Sequence, residues 1–408
     1  MAQLQDLEEY ISSALDVVEF KLIRSKSDLD NDALVFHPIM AHQIFGEAES
    51  IFGYLDLKVR IFYTAGPLHT YLDVKYEEKV DDLPNSVMKA DNVVAIIAEK
   101  LPEGCYFVNV DEFLKTLDKA DKFKPFGEKL GEHIHLNSEN NEERIFEIYH
   151  CNYGQTVFLK FFSRLQTFIL WFVDAASYID VDDAQWSYFI CYEKYKNDNG
   201  DWFYATVGYT TVYEYYAYPQ HVRPRVSQML VLPPFQKLGI GTVFLETIYK
   251  YYQSQKNVLD ITVEDPSDDF QRMRSFVDAR LCMALSSFGS KEIKKGFTKE
   301  MINDAKEFLK LNPRQCRKVY EVLRLLYTNI HDKEDYTGYR LEVKKRLNAS
   351  YHKQLSDIKK LEKAKIDTQW LRSSLPSLQE RVERLHEEYV LVEKNYMQIV
   401  EKLRALQK

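Results

Sequence analysis

One internal run of the sequence constrains the fold more than any other. An apolar stretch at 226–232 is followed by a loop containing Gly239 and Gly241, by a helical pattern through Tyr252, and by a second apolar stretch at 258–263. A strand, a helix and a second strand in this order predict a parallel βαβ unit. The chain must therefore contain a sheet with helices packed on it.

The flanking sequence predicts a larger mixed chain around this unit. Residues 1–142 combine strand-like aromatic stretches with short helical patterns, which predicts an α+β module. Residues 143–290 hold the βαβ unit, residues 291–350 are helical and charged, and residues 351–408 end in one long helical pattern. We therefore expect a mixed α/β (α+β) core with an N-terminal α+β module and a helical C-terminal extension.

Local signals predict several element boundaries. The long apolar stretch at 156–176 predicts one buried helix. The run Asn197-Asp198-Asn199-Gly200 lies between two aromatic stretches and predicts a hairpin turn. Thr298 and Asn312 are expected helix caps, the second followed by Pro313 at the first helical position.

The last segment carries a heptad pattern. Its apolar positions step alternately by four and three residues, and we call them the heptad seam: Leu378, Val382, Leu385, Tyr389, Val392, Tyr396, Ile399, Leu403 and Leu406. Such a seam is typical of a coiled coil or of a long helix docked on a partner. Pairing within the chain, against residues 351–371, explains the pattern equally well, so the sequence leaves open whether the helix pairs in cis or in trans.

The charge balance limits which classes of partner the chain is expected to bind. Asp and Glu total 62 against 54 Lys and Arg, giving a net charge of −8, which disfavours direct nucleic-acid binding and suits a cationic partner. No apolar run reaches the roughly 18 residues that a membrane helix needs, so no membrane association is expected. The polar, acidic start lacks the pattern of a secretory signal, and we expect cytosolic or nuclear residence.

Cysteine and histidine spacing predicts neither disulfides nor a metal site. The cysteines form no short pair, which fits free thiols in a reducing compartment: Cys105, Cys151, Cys191, Cys282 and Cys316. His133 and His135 are two residues apart, but this spacing alone does not define a ligand set, and no metal is expected. No cysteine or serine has the partner pattern of a nucleophile, so no covalent intermediate on a side chain is expected.

The glycine-containing loop predicts an anion site. Its core, Gln236-Lys-Leu-Gly-Ile-Gly241, fits the pattern Q/R-x-x-G-x-G/A. Small residues let the backbone approach a ligand, and the N–H groups at the start of the next helix then point at an anion such as a pyrophosphate. The third glycine of a dinucleotide site and the Gly-Lys-Ser/Thr of a nucleotide P-loop are missing. A plain turn at a helix start remains the alternative.

This loop and several further blocks resemble one known family. The sequence is similar to type B histone acetyltransferase catalytic subunits, of the GNAT superfamily of acetyl-CoA-dependent acyltransferases, over about residues 20–345. The blocks that carry the resemblance are His42–Gly46, Lys124–Gly127, Tyr178–Asp183, Ala205–Tyr209, Ser227–Leu230, Pro234–Gln236 and Leu259–Ser267. The resemblance implies a GNAT fold for the core.

The resemblance also implies acetyl-CoA as co-substrate and assigns residues to it. The strand before the loop would flank the pantetheine arm and the acetyl carbonyl through Met229, Leu230 and Val231. The remaining cofactor-binding residues implied are Gln236, Lys237, Leu238, Gly239, Ile240, Gly241, Thr242 and Ser267.

Acetyl transfer to lysine needs a base, because a free lysine with a pKa of about 10.4 is protonated at neutral pH. Glu264 and Asp265 lie at the C-terminal end of a predicted parallel strand. By resemblance Glu264 is the general base, Asp265 assists, and Asp174 stands where the family usually has a longer Glu. Capping of the next helix by Asp265-Pro266-Ser267 is the alternative.

Substrate contacts are implied at two places. The run Tyr213-Glu214-Tyr215 is predicted to follow a strand beside the cofactor cleft, where a peptide would gain backbone hydrogen bonds and aromatic contacts. By resemblance these residues grip the histone tail together with Glu49 and Ser50. Ordinary strand packing of the tyrosines is the alternative.

The function implied by the resemblance is acetylation of lysines in the N-terminal tail of free, newly synthesised histone four. The family works with a WD-repeat histone-binding subunit in cytoplasm and nucleus, and an acidic chain suits a basic tail. Two alternatives remain from the sequence: a GNAT enzyme acting on a small-molecule amine, and a non-catalytic acyl-CoA-binding scaffold built on the heptad helix. Activity on polyamines alone would favour the first, and failure to bind acetyl-CoA would favour the second.

Overall fold

The chain forms two compact units. The computed structural model describes residues 8–84, 87–118, 122–137, 142–152, 154–197 and 199–407. One unit comprises residues 1–216 with 224–251, and the other comprises residues 217–223 with 252–408. Both strands and helices are abundant, which confirms the mixed α/β prediction. The domain boundaries expected at residues 142, 290 and 350 stay predictions.

The N-terminal part of the first unit contains short strands around one four-stranded sheet. Its strands are β1 (Ile11–Ser13), β2 (Val18–Ile23), β3 (Ser50–Phe52), β4 (Tyr54–Leu55), β5 (Lys58–Thr64), β6 (Thr70–Lys75), β7 (Glu78–Lys79) and β8 (Tyr106–Phe107). The four-stranded sheet has the order β2-β5-β6-β8, while β1 pairs with β3 and β4 with β7. Short helices connect them: α1 (Ala14–Val17), α2 (His42–Phe45), α3 (Val93–Ala98) and α4 (Val110–Leu117).

A larger sheet follows. It places side by side, in chain order, β9 (Glu128–Leu136), β10 (Glu143–Asn152), β11 (Trp186–Lys196), β12 (Trp202–Ala217) and β13 (His221–Val231). The pairs β9–β10, β10–β11 and β11–β12 are antiparallel. Lys196 pairs with Trp202, and the Gly200 N–H donates to the Asn197 carbonyl at 2.9 Å, which confirms the predicted hairpin. Asp198 lies outside the described residues.

The single helix predicted at 156–176 is wrong. The chain instead forms α5 (Thr156–Leu165), a 3₁₀ turn at Gln166–Phe168 and α6 (Ile169–Phe172). The Thr167 hydroxyl donates to the Arg164 carbonyl at 2.6 Å, a local bond that accompanies tightening of the helix. The side chains of the 3₁₀ turn are buried, as the apolar composition of the stretch predicts.

A long helix completes the first unit's strand–loop–helix sequence. Helix α7 (Ile240–Gln253) follows β13, and its last two residues belong to the second unit. Within the second unit, Val222 at the start of β13 forms a parallel bridge to Val258. The second apolar stretch of the βαβ prediction is thus a single bridge followed by β14 (Thr262–Val263), shorter than the strand expected at 258–263.

The second unit is mainly helical. Its helices are α8 (Asp268–Cys282), α9 (Ser290–Lys295), α10 (Lys299–Leu309), α11 (Pro313–Leu326), α12 (Lys333–Leu347), α13 (Ala349–Lys363), α14 (Gln369–Ser373) and α15 (Leu378–Leu406). Thr298 and Asn312 accept backbone N–H bonds as N-caps of α10 and α11, as predicted. Among the described residues, no helix has the length and apolar character needed to cross a membrane.

The heptad seam is divided. Tyr389, Tyr396, Ile399 and Leu403 are buried in a core shared by α8, α11, α12 and α15. Toward the start of α15 the seam is open, since Leu378 is 69% exposed and Val382 56% exposed. The C-terminal half of the seam therefore packs in cis against α8, α11 and α12, which lie outside the 351–371 segment expected as its partner.

Candidate functional site

The predicted anion loop has the geometry of a helix-start binding site. After β13 the chain makes a 3₁₀ turn at Pro233–Phe235, and the Gln236 side chain donates to the Val231 carbonyl at 2.8 Å. Gly239 has a φ of +78° and open space where a Cβ would lie. Helix α7 begins at the next residue, and the N–H groups of a helix's first turn are directed toward its N-terminus.

Strand β13 presents one half-open face beside the loop. Met229 and Val231 are half-buried on this face, whereas Leu230 is buried on the other. Gly208 on β12 makes the approach of the two strands possible, because a Cβ there would lie 2.1 Å from the Leu230 carbonyl oxygen. Sequence reasoning missed this requirement, since Gly208 appeared only inside a block of family resemblance.

A second residue missed by the sequence supports the loop from β9. Burial lowers the pKa of the His133 imidazole, and the nearby backbone of Leu238 opposes this shift. Nearby, the Arg144 guanidinium lies over the rings of Phe146 and Phe235, 5.4 and 5.5 Å from their centroids. The loop thus rests on side chains of β9 and β10.

The predicted base residues lie in the second unit. Glu264 directly follows β14, as expected, and is exposed. Asp265 is also exposed and has a φ of +25°. Ser267 caps α8, its hydroxyl accepting from the Phe270 N–H at 3.2 Å. The capping alternative is therefore correct for Ser267, while its predicted contact with acetyl-CoA stays a prediction.

The structure brings two of the predicted acids together in the first unit. Asp174 lies just after α6, and its side chain is 76% exposed. His42 Nε2 lies 3.3 Å from Asp174 Oδ1, and His42 Nδ1 lies 3.6 Å from Glu49 Oε1. The pKa of Glu49 is lowered, chiefly because the Ala41 N–H donates to its carboxylate at 2.6 Å. No sequence spacing connects these residues, and His42 was not singled out.

The predicted peptide-contact residues lie within β12 rather than after it. Strand β12 runs to Ala217, and along it Tyr213 pairs with Trp186 and the Glu214 N–H donates to the Gln185 carbonyl. The expectation that the run Tyr213–Tyr215 follows the strand is therefore wrong. Aromatic residues promote strand pairing, which carries the strand through this run.

These tyrosines make specific contacts. The Tyr213 hydroxyl donates to Asp183 at 2.9 Å, a bond that raises the pKa of the phenol. The Tyr213 and Tyr215 ring centroids are 4.6 Å apart, and the Arg225 guanidinium lies 4.6 Å from the Tyr215 centroid. Ser50 is half-buried on β3 and pairs with β1. The surface around β12 is thus aromatic and partly exposed.

Two family models match the chain. The model described as "Histone acetyl transferase HAT1 N-terminus" matches residues 10–174, and "Histone acetyltransferase type B catalytic subunit, C-terminal" matches residues 274–325. The histone acetyltransferase type B catalytic subunit of Homo sapiens is 41% identical over 97% of this chain and 94% of its own length. The chain belongs to this family. It is accordingly an acetyltransferase, and the family implies use of acetyl-CoA.

Other members are similarly related. The protein of the same description from Mus musculus is 41% identical over 97% of this chain and 95% of its own length. One from Dictyostelium discoideum is 32% identical over 82% of this chain and 68% of its own length. An aminoglycoside acetyltransferase structure from a soil metagenomic sample, bound to sisomicin, covers 30% of this chain and 80% of its own at 16% identity. Its TM-score is 0.23.

Proposed function

We propose that the chain is a histone lysine N-acetyltransferase that acts on the N-terminal tail of free, newly synthesised histone four. The observation that carries the proposal is the 41% identity to a histone acetyltransferase type B catalytic subunit over 97% of the chain. The net charge of −8 suits a basic tail. By the same resemblance, we propose a WD-repeat histone-binding subunit as partner, and residence in nucleus and cytoplasm.

Acetyl-CoA supplies the acetyl thioester, and the loop fits its phosphates. The open side of Gly239 and the start of the 14-residue helix α7 offer backbone donors to the pyrophosphate through residues 236–242. Met229 and Val231 on the half-open face of β13, with the backbone of Leu230, would line the pantetheine arm. Ser267 is a further proposed contact.

Glu264 is the proposed general base. It removes the proton from the lysine ammonium, and the free amine attacks the thioester carbonyl directly while donors on β13 stabilise the developing oxyanion. Asp265 and Asp174 are the proposed assisting acids, since the negative charge of each favours a cationic substrate. Cysteine chemistry is disfavoured, because burial raises the pKa of the thiols of Cys191 and Cys282 and so suppresses the thiolate.

Substrate contacts are proposed at β12 and at Glu49. Tyr213 and Tyr215 offer aromatic faces to an extended basic peptide, and Glu214 offers a negative charge. Only one oxygen of Glu49 accepts the N–H groups of Ala41 and His42. The other carboxylate oxygen is available to a cationic side chain beside Ser50.

The test is acetyl transfer from labelled acetyl-CoA to a histone-four tail peptide by wild type and Glu264→Gln, across pH. We expect the variant to bind acetyl-CoA normally in calorimetry, to be slow at neutral pH, and to recover partly as pH approaches the lysine pKa of about 10.4. Glu300→Gln, an exposed acid on α10, is the matched control and should keep wild-type activity. Equal activity of Glu264→Gln and wild type would refute the base assignment. A wild type that acetylates polyamines but not the peptide would refute the histone substrate.

A further inference from the structure

His42 lies between two acids that have separate proposed roles, catalysis for Asp174 and substrate binding for Glu49. Its ring nitrogens face one carboxylate each, Nε2 at 3.3 Å from Asp174 and Nδ1 at 3.6 Å from Glu49. The His42 side chain is 29% exposed and that of Asp174 is 76% exposed. A carboxylate this exposed can occupy several rotamers, so a contact with a better-fixed ring restricts its orientation.

The fold holds His42 beside Asp174 through contacts on both sides of that acid. The N–H groups of residues 39 and 40 donate to the carbonyl of Trp171, before Asp174, at 3.1 and 3.3 Å. The Gln43 side chain donates to the carbonyl of Ala176, after Asp174, at 2.7 Å. The segments that carry the two residues are therefore fastened together, and the contact does not depend on side-chain rotation alone.

Glu49 fixes the other side of the ring. Its Oε1 accepts from the Ala41 N–H at 2.6 Å and from the His42 N–H at 3.0 Å, at the start of α2. The same oxygen faces His42 Nδ1. The backbone N–H and the ring of His42 both contact the same oxygen of Glu49, so this carboxylate fixes the orientation of the imidazole independently of Asp174.

We propose that His42 is a positioning residue for acetyl transfer, which holds the Asp174 carboxylate in one orientation and links it to Glu49. This inference rests on the proposed function, in which Asp174 assists catalysis. Geometric precision at a reacting group is valuable, since a misplacement of about 1 Å can cost on the order of 100-fold in rate. Loss of the Nε2 contact should therefore lower kcat without changing the affinity for acetyl-CoA.

Two conservative substitutions separate the two contacts of His42. Glutamine places its amide nitrogen near the position of Nε2, whereas asparagine places it near Nδ1. We expect His42→Gln to keep kcat near the wild-type value, and we expect both His42→Asn and Asp174→Asn to lower it roughly 10-fold. The double variant His42→Asn/Asp174→Asn should be no slower than either single variant, because both changes remove one interaction.

The same assays distinguish the outcomes. His331→Asn, an exposed histidine of the second unit, is the matched control and should keep the wild-type kcat. Melting temperatures of all variants exclude misfolding as the cause of a slow rate. A wild-type kcat for His42→Asn or for Asp174→Asn would overturn the proposed role of His42. A double variant whose loss in kcat equals the product of the two single losses would overturn it as well. A wild type that acetylates no amine would instead overturn the proposed function.

Discussion

Replacing Gly208 with alanine tests how closely β12 and β13 must approach beside the proposed acetyl-CoA site. An ideal Cβ at this position would lie 2.1 Å from the Leu230 carbonyl oxygen and 2.9 Å from the Val231 Cα. Outside its own residue and the two chain neighbours, a real Cβ essentially never comes within 3.0 Å of a heavy atom, so the carbonyl must retreat by at least 0.9 Å, the difference between 3.0 and 2.1 Å. Because these atoms belong to backbone, no side-chain rotation relieves the overlap.

The magnitude follows from the cost of overpacking. Such substitutions destabilise by about 1–3 kcal/mol, and the upper part of this range applies where backbone must move. The lower unfolded-state entropy of alanine offsets about 0.4–1 kcal/mol. We expect the free energy of unfolding to fall by a net ~2 kcal/mol. Acetyl-CoA affinity should fall with it, since Leu230 and Val231 are the residues displaced.

The assay is thermal melting together with calorimetric titration of acetyl-CoA. Gly131→Ala is the matched control, because a Cβ on this strand glycine would lie 3.6 Å from the Thr247 hydroxyl, an ordinary contact. The control should melt and bind like wild type. If Gly208→Ala matches the control in both measurements, the close approach of the strands is not required for stability or binding.

Two further predictions concern packing and pH. Leu403→Ala should cost about 2–5 kcal/mol in the free energy of unfolding, because Leu403 is buried. Exposed Val382→Ala should cost little, and equal losses in denaturant titrations would contradict the divided heptad seam. Because the pKa of Glu49 is lowered in the folded chain, its ionised carboxylate stabilises the fold at pH values above the ordinary pKa of 4.5. This stabilisation is lost as the pH falls through the lowered pKa. Glu49→Gln should therefore flatten the acid side of a melting-temperature profile, and an unchanged slope would contradict this.

Local signals were sufficient for much of the fold. The caps Thr298 and Asn312 and the hairpin near Gly200 depend on a few neighbouring residues, so the sequence alone predicts them. The helix interruption near Thr167 was not predictable, since an apolar run does not reveal where the turns tighten. The end of β12 was misjudged because pairing between strands sets it, and β12 lies between β11 and β13 in the sheet.

The candidate site was predictable only where it is continuous in sequence. The loop around Gly239 could be located because its residues and the flanking strand and helix are adjacent in the chain. The contact between His42 and Asp174 joins residues 132 positions apart, and no periodicity links them. The need for glycine at position 208 arises from a backbone on a neighbouring strand, which a single sequence does not show.

The burial of the C-terminal half of α15 has a consequence for synthesis on the ribosome. Helices α8, α11 and α12 precede α15 in the chain, yet their shared core includes Tyr389, Tyr396, Ile399 and Leu403. Until these residues have left the ribosome, the apolar surfaces that they cover in the folded unit stay exposed, and such surfaces attract chaperones. The second unit therefore completes its folding late, and any truncation before Tyr389 should yield an aggregation-prone protein.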